Sequence, residues 1–303
     1  MLTVSLVLIL SQTPAAKPDG GPTAAPAAKA PAPVVTWEGL QTPESVFYDA
    51  ETDTYLVSNI NGQPLAKDNN GYVSELSPDG KVVKEKLIEA GKKVTLNAPK
   101  GLALVDGVLY VADIDTVRMF DRKTGAPKGE VKVPGATFLN DLSALDGKVY
   151  LTDSGLKAGK EGFDPSGTDG LYVIDTKAKK PTLKTLLKSK DLHNPNGVLA
   201  IRDTLYVVTF GAAELQTYGL DGKKKGEATK LPKGSLDGIL EVGDELLISS
   251  WDGAAIYKGK PGGEFKQVAG DLKAPADIGY DTKRARVLVP RFMDNKVEAW
   301  ELK

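Results

Sequence analysis

Asn194-Pro195-Asn196-Gly197-Val198-Leu199-Ala200-Ile201, followed closely by Leu205-Tyr206-Val207-Val208-Thr209, reads as a tight turn, an apolar strand, a short loop and a second strand. The same pattern is written six times. The other openings are Pro43-Glu44-Ser45, Pro99-Lys100-Gly101, Leu139-Asn140-Asp141, Leu236-Asp237-Gly238 and Pro275-Ala276-Asp277. Each leads into a second apolar run, such as Tyr55-Leu56-Val57-Ser58, Leu109-Tyr110-Val111-Ala112 or Val287-Leu288-Val289-Pro290. The middle residues of the openings stand at 44, 100, 140, 196, 237 and 276, spaced by 56, 40, 56, 41 and 39 residues. Strand-only repeats with periods of roughly 40–50 residues are the mark of a β-propeller. Six repeats predict an all-β, six-bladed propeller with four-stranded blades.

The composition sets outer limits on function. Of the 303 residues, 41% are hydrophobic and 26% charged, within the ordinary range of a chain that buries a core. With 39 basic and 40 acidic residues the formal charge is −1, so no basic surplus points to nucleic acid. There is no cysteine and a single histidine, His193. Disulfides, thiolate metal sites, cysteine nucleophiles and multi-imidazole sites are all excluded. A bound metal would be held by oxygen.

Along the chain, Leu2 to Leu10 is an apolar run too short to span a bilayer as a helix. With Ala15-Ala16 as a small-residue cleavage region it reads as a secretory signal over residues 1–16, although no Lys or Arg precedes it. The mature protein is then periplasmic or secreted, with no membrane span. Residues 17–33, rich in Ala and Pro, read as a disordered linker, and 34–303 as the propeller. Val34-Val35-Thr36-Trp37 precedes the first opening, while the sixth repeat lacks a strand after Lys296 to Leu302. The N-terminal strand is expected to fill that place, closing the ring and removing an exposed edge. Turn signals such as Ser77-Pro78-Asp79-Gly80 and Asp221-Gly222 separate the outer strands, and two long polar loops interrupt them, Asn61–Asn70 and Ala158–Asp169.

The first strand of each blade lines the central channel, so the opening residues converge at one rim near its axis. Glu44, Asn140, Asn196 and Asp237 then form an oxygen-only cage, with Lys100 and Ala276 in the two remaining places. Two carboxylates and two amides suit a hard divalent cation, Ca²⁺ first, with Zn²⁺ or Mn²⁺ as alternatives. The competing reading of Asn196-Gly197 and Asp237-Gly238 is as tight-turn pairs present for backbone reasons. The ends of the second strands, among them Asn59, Asp113, Asp153, Phe210, Trp251, Arg291 and Phe292, are expected at the same rim. Phe210, Trp251 and Phe292 would floor an apolar pocket, and Lys100 and Arg291 would hold an anionic group. His193, three residues before Asn196, is a candidate proton shuttle.

Pro43-Glu44 followed by an aromatic and Asp49, together with Asn140-Asp141, Pro195-Asn196-Gly197 and Leu236-Asp237-Gly238, resembles a family of six-bladed hydrolases. That family groups senescence marker protein (regucalcin), gluconolactonase and luciferin-regenerating enzyme, with the paraoxonases as distant relatives. The resemblance spans Val34 to Lys303. It implies a catalytic divalent metal held by Glu44, Asn140, Asn196 and Asp237, with Asp237 also the base that activates water. Three departures stand out. Thr42-Pro43-Glu44-Ser45 replaces the family's Gly-Glu-Gly-Pro, Phe138 stands where gluconolactonases often place a sugar-contacting arginine, and one histidine cannot supply the paraoxonase dyad. The resemblance therefore implies a metal-dependent hydrolase of a lactone or small ester, without sugar specificity, and the chain is expected to act as a monomer. The alternative is a non-catalytic propeller of the NHL-repeat kind, binding a protein, peptide or glycan and having no need of the cage.

Overall fold

The computed structural model describes residues 32–160, 162–178 and 180–302. The expected signal segment and most of the expected linker lie outside them. Six four-stranded antiparallel sheets form the ring, each numbered strand by strand from the axis outward. Blade one consists of Pro43–Asp49, Thr54–Asn59, Tyr72–Leu76 and Val82–Glu89, and blade two of Pro99–Val105, Val108–Asp113, Thr116–Asp121 and Pro127–Lys132. Blade three is Leu139–Leu145, Lys148–Asp153, Gly170–Asp175 and Thr182–Lys188, with a small hairpin, Leu156–Ala158 and Phe163–Pro165, inserted between its second and third strands. Blade four is Pro195–Ile201, Thr204–Thr209, Glu214–Gly219 and Thr229–Lys230, and blade five Leu236–Val242, Glu245–Ser250, Ala255–Gly259 and Lys266–Ala269. Blade six takes Gly279–Asp281, Arg286–Arg291 and Lys296–Trp300 from the end of the chain and Pro33–Trp37 from its start. Among the described residues no helix is long and apolar enough to cross a membrane.

The core is six wedges, one between each pair of neighbouring blades. Leu56, Val73 and Ile88 of blade one meet Leu102, Leu109 and Phe120 of blade two, and the same arrangement repeats round the ring. Adjacent residues of one strand serve opposite wedges: Val207 packs toward blade three and Val208 toward blade five. Strands sandwiched in this way are buried on both faces, which is why they read as unbroken apolar runs rather than alternating ones.

The innermost strands of blades one to five carry the same irregularity. Pro43 pairs with Asn59 and Val46 with Val57, so three steps on the first strand face two on the second. The register slips in the same place at Pro99/Leu102, Leu139/Leu142, Pro195/Val198 and Leu236/Ile239. A β-bulge of this kind re-aims side chains that a regular pleat would send to alternate faces. Here the bulged pairs are Glu44-Ser45, Lys100-Gly101, Asn140-Asp141, Asn196-Gly197 and Asp237-Gly238. Asn196-Gly197 and Asp237-Gly238 lie within strands and not in turns, and none of the four residues has a positive φ. The turn before blade four is made by His193 and Asn194, both left-handed at φ 51° and 56°. Gly197 has another reason to be glycine. A Cβ there would lie 2.1 Å from the carbonyl oxygen of Asp237, so its absence lets blades four and five approach at the axis.

Closure is as the sequence predicts. Trp37 pairs with Val297, its ring stands edge-on to Tyr55 at 5.4 Å, and its indole N–H donates to Ser77 O at 3.1 Å. Polar contacts across the same seam join Tyr55 to Asp281 (2.6 Å) and Arg284 to Asp53 (2.7 Å). Between blades one and two, buried Arg122 grips Asp49 (2.6 Å) and Glu75 (2.9 Å), so the Asp49 of the family-like motif is a structural residue. A chain lacking residues 1–40 should melt well below one lacking residues 1–31, because only the first loses Trp37 and exposes the strand edge at Lys296–Trp300. Trp37→Ala alone should cost about 3–5 kcal/mol of unfolding free energy. Equal melting temperatures for the two truncations would contradict closure by this strand.

Candidate metal centre

At the rim of the channel lies a recess. Its polar lining is Glu44, Lys100, Asn140, Asn196 and Asp237, the opening residues of blades one to five. Ala276, the equivalent opening residue of blade six, is buried and brings no polar side chain.

One oxygen from each of the four expected ligands, Glu44 Oε2, Asn140 Oδ1, Asn196 Oδ1 and Asp237 Oδ1, is buried without a hydrogen-bond partner. Leaving a single polar atom in that condition costs about 1–3 kcal/mol, and a charged one more. Several groups around them, by contrast, are engaged. Asn140 Nδ2 donates to Ser154 Oγ (3.1 Å), whose own proton goes to Pro195 O (2.7 Å), fixing the amide with its oxygen toward the recess. Thr152 Oγ1 donates to Asn196 O (2.6 Å) and accepts from Asp141 N (3.1 Å), and Ser249 Oγ accepts from Gly238 N (2.8 Å) and donates to Ala276 O (2.9 Å). These hydroxyls tie one blade's opening to the next. The residues present fit a hard cation: rigid, oxygen-only, doubly negative and short of partners.

The electrostatics agree. Burial first, and then the charges of Asp237 and Asp277, push the Glu44 carboxyl well above the usual range. Asp237 is also raised well above it, by burial and then by Asp277, and is drawn partly back by the nearby Trp251 indole and Asn196 amide. The Trp251 N–H closes no hydrogen bond and is itself a buried orphan. Lys100 is only 1% exposed, and burial lowers its ammonium to about 8 even though Glu44 and Asp113 pull it upward. Lys100 makes no ion pair with the cage, although its charge draws Glu44 partly back down. Its Nζ donates to Pro64 O and Ala98 O, each at 3.0 Å, and stands 4.6 Å from the centre of the Phe138 ring. No carboxylate lies within ion-pair distance of it among the described residues.

Where the second residue of an opening carries a side chain, it turns toward the other mouth of the channel. Ser45, Asp141 and Asp277 line a separate recess there. Asp277 accepts from Ser45 Oγ at 2.5 Å, and Asp141 accepts from Val198 N at 2.7 Å. Burial raises both carboxyls, Asp277 to about 7. This acidic column was missed in reading the sequence for rim residues, although the polar second positions of the openings at 45, 141 and 277 were its signal.

Two expected site residues stand elsewhere. Arg291 is buried but does not line the recess; its guanidinium is held by Glu298 (2.9 Å), Asp294 (2.7 Å) and Asp271 O (3.2 Å) inside blade six. His193 also lies off the recess, on the turn before blade four, with Nδ1 3.1 Å from Glu214 Oε2. Asn59, Asp113 and Asp153 tie down the loops that enter their own blades, as when Asp113 Oδ1 accepts from Asn97 N and Ala98 N. Phe210, Trp251 and Phe292 do line the recess as expected, Phe210 and Trp251 5.7 Å apart and Trp251 and Phe292 5.0 Å apart. Ile60, Pro64, Phe138, Leu156 and Phe163 complete an apolar collar that the sequence did not disclose. Pro64 comes from the blade-one loop and Phe163 from the blade-three hairpin, the two insertions marked by their length.

No protein-family model and no curated protein matches the chain. Among solved structures it is similar to a gluconolactonase from Xanthomonas campestris, with a TM-score of 0.67 and 20% identity over 88% of each chain. It is also similar to a chain of a nidogen/laminin complex, with a TM-score of 0.59 and 18% identity over 76% of this chain and 86% of that one. At these identities the likeness is one of fold, the propeller ring.

The raised carboxyls give a pH test. A carboxyl held above its ordinary value stabilises the fold fully below that value, and the contribution is lost as pH rises through the folded-state pKa. For Asp277 the loss should run from about pH 4 to just above 7, up to about 4 kcal/mol in chelator-treated protein. Urea midpoints at pH 4.5 and 7.5 should therefore lie closer together for Asp277→Asn than for wild type. An unchanged gap would show that this group does not titrate there.

Proposed function

We propose that this propeller is a divalent-metal-dependent hydrolase of a lactone or small ester, working in the periplasm or outside the cell. The observation that carries the reading is the set of four orphaned oxygens on Glu44, Asn140, Asn196 and Asp237. A protein that used this rim only for docking would have no reason to leave them unpaired. The likeness in fold to a gluconolactonase is compatible with the reading and does not carry it.

When bound, a cation such as Ca²⁺ would supply Lewis-acid polarisation of the ester carbonyl. The remaining work falls to the chain. Glu44, Asn140 and Asn196 hold the charge in place, and the collar from Phe138 to Phe292 excludes bulk water from the reacting carbonyl. Asp237 accepts a proton from water as its oxygen bonds to the carbonyl carbon. The carbon–oxygen ester bond then breaks and the proton returns to the departing alkoxide, giving a hydroxy acid from a lactone. Lys100 has given two of its three N–H groups to carbonyls and keeps one for a substrate oxygen.

Calorimetric titration with Ca²⁺, Mn²⁺ and Zn²⁺, followed by a lactone and ester panel with and without chelator, tests this. Glu44→Gln and Asp237→Asn should each weaken binding by upward of roughly 100-fold, more than the loss of a mere supporting contact. Asn140→Ala and Asn196→Ala should weaken it less, since water replaces a neutral ligand. Asp237→Asn should stay inactive even in saturating cation, because an amide cannot accept the proton. If wild type binds none of the three ions below millimolar concentration, the non-catalytic binding-module reading stands instead.

A further inference from the structure

The recess over the cage does not end at its collar. Pro64, Phe163, Trp251 and Phe292 line it and also line an outer vestibule of about 1510 Å³, where Leu65 and Met293 join them. Among the described residues, none that lines the vestibule is charged. Phe163 is 42% exposed and Met293 55% exposed, two of the five large apolar side chains left in solvent among the described residues. Both are set in place by the fold. Phe163 stands edge-on to Phe138 of the recess at 5.4 Å, at the tip of the blade-three hairpin. Met293 sits in a short 3₁₀ turn, Phe292–Asp294, closed by left-handed Asn295, whose Oδ1 accepts from Thr42 N at 2.8 Å.

Resting on the hydrolase reading above, we propose that the substrate is a lactone or ester with an apolar tail. The acyl head lies over the cage, and the tail runs out along Phe163 and Met293. The continuity of the two cavities sets this path: anything held at the cage and longer than a small ring must leave by the vestibule. The chemistry of the walls sets the tail, since exposed apolar side chains around a groove with no charged residue among those described gain from covering by methylenes. A polyhydroxylated sugar lactone is disfavoured on the same grounds. Apart from the cage, Lys100 and the Trp251 N–H the recess offers its hydroxyls no side-chain partners, and each buried without one is penalised.

The test uses γ-lactones carrying straight alkyl tails from methyl to octyl, with glucono-δ-lactone as the hydrophilic comparison. Binding to chelator-treated full-length protein is read by quenching of tryptophan fluorescence, and turnover is read separately after adding Ca²⁺, Mn²⁺ or Zn²⁺. Affinity should climb by about two- to fourfold per added methylene, fourfold being the value for full burial, and then level off as the tail leaves the groove. Phe163→Ser and Met293→Ser, at exposed positions, should each lower the long-tail to short-tail affinity ratio at least threefold with no change in melting temperature. Affinity independent of tail length, or glucono-δ-lactone bound more tightly than the alkyl series, would overturn the proposal. Tail-dependent binding with no turnover in any of the three ions would support the groove while defeating the hydrolase reading. Turnover without tail dependence would do the reverse.

Discussion

Four oxygen atoms buried at the axis without partners are the constraint around which this molecule is arranged. Any one of them, in an ordinary core, would be removed by substitution or satisfied by a neighbour. Here Ser154 holds the Asn140 amide, and Thr152 and Ser249 bridge the backbone of neighbouring openings, which leaves the four oxygens bare. Burial first, then Asp237 and Asp277 acting on Glu44 and Asp277 acting on Asp237, raise both carboxyls toward their protonated forms. A divalent cation reverses that preference, relieving repulsion and desolvation together. Lys100 cannot do so from where it stands, with its ammonium tied to Pro64 O and Ala98 O beside the Phe138 ring.

The scaffold that permits this is rigid for a simple reason. Each blade packs only on its two neighbours, so the ring holds the axis still only if the last wedge is as well formed as the others. Trp37 and the strand it ends are what complete that wedge. The repeated β-bulges then convert six similar strands into two layers of axial side chains, one toward each mouth. Glu44, Lys100, Asn140, Asn196 and Asp237 face the collar, and Ser45, Asp141 and Asp277 face the opposite recess.

The ring was legible because its signal is redundant: six openings, each followed by two apolar runs that serve two wedges at once. The cage was legible for a related reason, since equivalent positions in a closed array must converge. What the sequence concealed depends on local geometry. Nothing in Asn140-Asp141 announces a bulge that sends its two side chains to opposite mouths. Arg291 looked free at a strand end, yet it is claimed by Glu298 and Asp294, which lie close in sequence but become partners only through the strand turn between them. The collar was hidden in two insertions whose length could be read but whose fold over the rim could not. Phe138 is an instructive case: as a departure from the family's arginine it marked the loss of a sugar contact, and in place it forms one wall of an apolar recess.

The central claim, that the four axial oxygens bind one hard cation, is tested most directly by terbium luminescence. Tb³⁺ takes oxygen ligands much as Ca²⁺ does, and Trp251 on the recess wall is placed to sensitise it. Emission excited through tryptophan should saturate at one ion per chain, be chased by Ca²⁺, vanish in Glu44→Gln, and be lost in Trp251→Phe. Absence of sensitised emission in wild type, or emission that survives Glu44→Gln unchanged, would contradict the account.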